Sequence, residues 1–134
     1  MNLGSRKLGS RYEPGSDTVF LFGKGKVSDS EAIGDLVLHY SSDGIVLGVE
    51  FLNATLTLAP LLVRPPAWMM DGKSRVTRKA LGRILGADAT VLSVGSFLVL
   101  VLRLNVSGEA EPVEAKFNVP LLFASDLAVA KAVA

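Results

Sequence analysis

His39, Glu50 and Asp35 are the residues whose types and spacing best suit chemistry in this chain. A carboxylate beside an imidazole orients the ring and supports the charge it gains as a general base. The elements that must bring them together are two apolar runs, 36–40 and 45–52, separated by Asp43-Gly44. That dipeptide favours a two-residue type I′ hairpin. The turn sets the register: Leu36 opposite Phe51, Leu38 opposite Val49 and Tyr40 opposite Leu47. It also sets Gly48 opposite His39 and places Glu50 diagonally from His39, within side-chain reach. Asp35 and Ser41 fall on the same face. No serine or cysteine is placed as a nucleophile, and the sequence favours a solvated sheet face with one ion pair over catalysis. With a single histidine and no cysteine, no metal site is expected.

A second candidate is basic. Arg64, Lys73, Arg75, Arg78, Lys79 and Arg83 stand against one acid, Asp71, so this segment is +5 and the remainder −4 within a net charge of +1. Ser74 is suited to cap a helix over 74–85, with Gly86 past its end. On that helix Arg75, Arg78, Lys79 and Arg83 share one arc, opposite Val76, Ala80, Leu81, Ile84 and Leu85. Such an arc, with Trp68 beside it, has the chemistry to meet a phosphate backbone and stack on bases. It is equally the wet side of a packed helix, or a match for the acidic strands at Glu109, Glu111 and Glu114, within the chain or across subunits. Gly72-Lys73-Ser74 resembles the end of a phosphate loop, but Ala67 stands where the full pattern needs glycine. Trp68-Met69-Met70 reads as core or subunit contact.

The chain has 134 residues, 49% of them apolar and 20% charged, with a mean hydropathy of +0.41. That excludes a disordered tail, and the absence of cysteine excludes a disulfide scaffold and fits a cytoplasmic setting. Glutamine is absent too, which matches the depletion of thermolabile residues in thermophile proteins. The uncharged runs are too short or too broken for a spanning helix, and Arg6, Lys7 and Arg11 have no apolar stretch behind them, so neither membrane insertion nor a signal peptide is expected. A small domain has little interior, so this much apolar content predicts burial between copies, as a homodimer.

The organisation expected is a flexible N-terminus over 1–10, a β-meander module over 11–63, a basic connector and amphipathic helix over 64–86, and a second β block with a C-terminal helix over 87–134. Strands are predicted at 18–24, 31–33, 36–40, 45–52, 89–94, 97–106 and 111–119, the last starting near a sheet edge because of Pro112. Residues 56–63 suit a short helix or a strand. The fold class is mainly β (α+β): an antiparallel β meander with one or two short covering helices.

Tyr12-Glu13-Pro14, Ser16-Asp17-Thr18-Val19-Phe20, Ser30-Glu31, Tyr40-Ser41-Ser42-Asp43-Gly44 and the run from Ile45 through Phe51-Leu52-Asn53-Ala54 to Thr55 form an ordered pattern. Over residues 11–56 this pattern resembles the domain of unknown function 2283 family of prokaryotes. The resemblance implies an antiparallel β meander. It implies no activity, so no functional residue is carried over. The function expected is therefore a non-enzymatic homo-oligomeric interaction module. The alternatives are a nucleic-acid-binding module using the basic helix over 75–83, or a small enzyme using His39 and Glu50. No cofactor and no small-molecule ligand are expected.

Overall fold

The computed structural model describes residues 2–42, 46–72, 74–95 and 97–120, with the backbone alone for 2–4, 97, 119 and 120. In chain order the elements are β1 (Asn2–Glu13), β2 (Thr18–Phe22), β3 (Asp29–Ile33), β4 (Leu36–Tyr40), β5 (Val46–Phe51), α1 (Ala54–Thr57), β6 (Leu62–Val63), β7 (Met70–Asp71), β8 (Arg75–Val76), α2 (Arg78–Gly82), β9 (Ile84–Val94), β10 (Phe97–Val106) and β11 (Val113–Pro120). Nine strands form one antiparallel sheet in the order β3-β4-β5-β2-β1-β9-β10-β11-β6, and β7 and β8 make a separate small hairpin. The fold is mainly antiparallel β with short helices.

Alternation builds the sheet. In β10, Leu98, Leu100, Leu102, Leu104 and Val106 point to one side and are buried, and Val19 and Leu21 of β2 and Val49 and Phe51 of β5 do the same. Met69, Val76, Ala80, Leu81, Ala54 and Leu58, contributed by the short helices and the β7–β8 hairpin, join these residues in one apolar cluster. Among the described residues the cover therefore lies on one face of the sheet. The opposite, outer face carries none of these elements.

The hairpin of β4 and β5 keeps the expected register at Leu36↔Phe51, Leu38↔Val49 and His39↔Gly48. The expected pairing of Tyr40 with Leu47 is not formed: the register shifts between His39 and Tyr40, and Tyr40 faces Val46. An irregularity of this kind re-aims the strand end. Asp43, Gly44 and Ile45 lie outside the described residues, as does the expected C-terminal helix.

The N-terminus departs most from expectation. Residues 2–10, expected to be flexible, belong to β1, which pairs with β2 on one side and β9 on the other. Leu8 is buried in the core, and β1 fuses the expected first and second β blocks into one sheet. Two glycines permit the close pairing. Gly9 faces Gly86, and a Cβ on Gly86 would stand 2.7 Å from the Leu8 carbonyl oxygen.

The expected helix over 74–85 is also corrected. Arg75-Val76 is a strand, Thr77 caps α2 by accepting the Ala80 amide at 3.1 Å, and Ile84 and Leu85 already belong to β9. Residues 56–63 resolve into both alternatives: the end of α1, a single 3-10 turn at Ala59–Leu61, and β6. β6 touches β11 at Glu114 and Ala115 alone, so β11 lies next to the sheet edge, with Pro112 just before it.

Asp17 ties the meander together. Its carboxylate accepts the Tyr12 hydroxyl at 2.9 Å and the Thr55 hydroxyl at 2.6 Å, and its carbonyl accepts the Ala54 amide at 2.7 Å. Asp17 and Asn53 both hold left-handed backbone angles, a conformation that Asp and Asn tolerate. The turn after β1 and the segment that closes β5 thus meet at one carboxylate.

Gly86→Ala should destabilise the fold by about 1–3 kcal/mol, because backbone rather than a flexible side chain meets the new methyl. Urea unfolding measures this; an unchanged midpoint would contradict the close β1–β9 approach.

Candidate functional site

His39, Glu50 and a residue the sequence did not single out, Ser30, meet on the outer face. β3, β4 and β5 place them side by side through the pairs Ser30↔His39 and Val37↔Glu50. His39 Nδ1 lies 2.7 Å from Ser30 Oγ, and His39 Nε2 lies 3.4 Å from Glu50 Oε2. The carboxylate favours a proton on Nε2, which leaves Nδ1 to accept from the serine hydroxyl. Phe20 of β2 stacks on the imidazole, with centroids 5.7 Å apart and an interplanar angle of 9°. Gly48, opposite His39, leaves room for that stack.

The array is an ordered cross-strand ladder. Ser30 is exposed on an edge strand, and the Asp29 carboxylate takes its amide at 2.8 Å. A carboxylate there opposes the charge of an oxyanion. Asp35, expected to join the face, sits instead in the β3–β4 turn, with its carboxylate 3.4 Å from the Asn53 side-chain amide. Ser30 was legible in principle. Gly34-Asp35, between Ile33 and Leu36, is a two-residue turn signal, and it puts Ser30 opposite His39.

The six cations do not share one helix face. Arg75 is on β8, Arg78 and Lys79 are on α2, Arg64 and Arg83 follow β6 and α2, and Lys73 lies outside the described residues. Arg78 donates to the Pro14 carbonyl at 2.8 Å. The Arg83 guanidinium lies 5.1 Å from the centre of the Trp68 ring, and the indole N–H donates to Glu109 at 2.8 Å. Trp68 is thus already engaged by a cation and a carboxylate. Gly72, with φ at +68°, turns β7 into β8, and no helix begins there as a phosphate loop would need. Met69 is fully buried, as the core reading expects. Arg64, Glu109, Glu111 and Glu114 line an open cleft of about 590 Å³.

Among the described residues no group of three or more metal-ligating side chains is assembled, and no helix is long and apolar enough to cross a membrane. No family model, curated protein or solved structure matches this chain.

Tyr40, at the strand end beside His39, is the clearest perturbed group. Loss of hydration on burial, then the nearby Asp29 and Glu31 carboxylates, push its phenol up to about 12, and its hydroxyl approaches those acids at 3.4 and 3.3 Å. The fold favours the neutral phenol. Its stabilising effect is complete below the ordinary value of 10 and is lost as pH rises through about 12. Stability measured across that alkaline range should fall more steeply for the native chain than for Tyr40→Phe; identical profiles would contradict the assignment.

Proposed function

We propose that this chain is a self-associating, non-enzymatic β-sheet module that works as a homodimer. The observation that carries the reading is the outer face, over which no described element packs. Large apolar side chains remain in water there or at its margins: Phe22 is 47% exposed, Val94 57% and Leu85 69%. Leu85 is the extra residue of a bulge between Ile84 and Gly86, beside Gly9, against which the Phe22 ring lies. Apolar area of this kind on a small domain marks an interaction surface.

The sheet ends support a face rather than an edge as the contact. β3 carries Asp29 and Glu31, and like charges along an edge discourage strand addition by a copy. A chain without cysteine suits the reducing cytoplasm. The resemblance over residues 11–56 implies a β meander and no activity, so it adds no residue role.

Sedimentation equilibrium should show a dimer at micromolar concentration. A monomer throughout that range would overturn the proposal.

A further inference from the structure

We propose that the dimer forms face to face, the outer face of β1-β9-β10-β11 packing on its own copy about a two-fold axis that runs along the strands between β9 and β10. The inference rests on the self-associating reading and names its surface.

Strand register fixes which residues lie in line across this face. One row is Lys7–Asp88–Arg103–Glu114, with alternating sign. Adjacent members sit on paired strands, yet among the described residues the ion pairs are Arg11–Glu13 and His39–Glu50, and none of the four makes one. The neighbouring rows are Ser5–Thr90–Val101–Lys116 and Leu92–Val99–Asn118. Leu92 and Val99, both half-buried, with the exposed Val94 beyond them, make a short apolar strip on β9 and β10, while Val101 beside it is already buried in the single chain.

A two-fold along the strands reverses each row and leaves it at the same height. Asp88 then faces Arg103 of the copy, and Lys7 faces its Glu114, so every charge of that row meets its opposite, while in the next row Lys116 faces Ser5. In the next rows Thr90 faces Val101 and Leu92 faces Val99, which closes the apolar strip on itself. A contact surface between identical copies must be self-complementary, and both features meet that condition about the same axis. Packed sheets stand about 10 Å apart, a gap that a long arginine or lysine reaching toward an opposed carboxylate spans. Asp88 and Arg103 lie nearest the axis and carry most of the pairing.

The test is a charge exchange, read by sedimentation equilibrium on the full chain with circular dichroism as the check on folding. Asp88→Arg alone and Arg103→Asp alone should each weaken the dimer by about tenfold or more, since like charges then face each other. Mixing the two variants should restore the dimer as a heterodimer, because the guanidinium introduced by Asp88→Arg in one chain then faces the carboxylate introduced by Arg103→Asp in the other. Leu92→Ser, outside the charged row and the core, should weaken it as well. If both single variants and Leu92→Ser dimerise like the native chain, this face is not the interface, though self-association stands. Weakening without recovery on mixing equally overturns the proposed pairing. A native chain that is monomeric throughout removes both the reading and the inference.

Discussion

A strand sends alternate side chains to opposite faces, so a sheet needs cover on both faces or polar groups on one. Among the described residues, covering pieces reach one face alone. Two helices of four and five residues, a small hairpin and two 3-10 turns, at Ala59–Leu61 and Ala67–Met69, reach the side lined by Leu21, Val49, Phe51 and Leu102. The outer side is left to mixed rows of glycine, charge and exposed apolar residues.

The parts legible in the sequence were those set by local pattern. Alternation over 36–40 and 46–51 fixed both the core face and the His39–Glu50 diagonal, because period-two hydrophobicity and register carry the same information. β10 appeared with the expected bounds for the same reason. The illegible parts were those decided by neighbours. β1 has the composition of a loose segment, rich in Gly, Ser, Lys and Arg. It becomes a strand because β2 and β9 flank it and because glycine pairs with glycine at 9 and 86. A helical wheel over 74–85 sorts apolar from basic residues well, yet Val76 is equally a buried strand position, and Thr77 supplies the cap that makes a later start favourable.

The candidate site shows the same division. His39 and Glu50 share one hairpin and were found; Ser30 needed a second hairpin register, through Gly34-Asp35. Asp35 was misplaced because a residue in a turn does not continue the face of the strand that follows it. The ladder of Ser30, His39 and Glu50 fixes side chains on a half-exposed face, where a pair contributes about 0.2–1 kcal/mol. That scale suits a device for shaping a surface.

The most direct test of one-sided cover is intermolecular contact. In a dimer of mixed isotope labelling, filtered nuclear Overhauser spectra should connect Leu92 methyls of one chain with Val99 methyls of the other. A dimer whose intermolecular contacts all lie elsewhere, with those methyls seeing only water, would contradict the account.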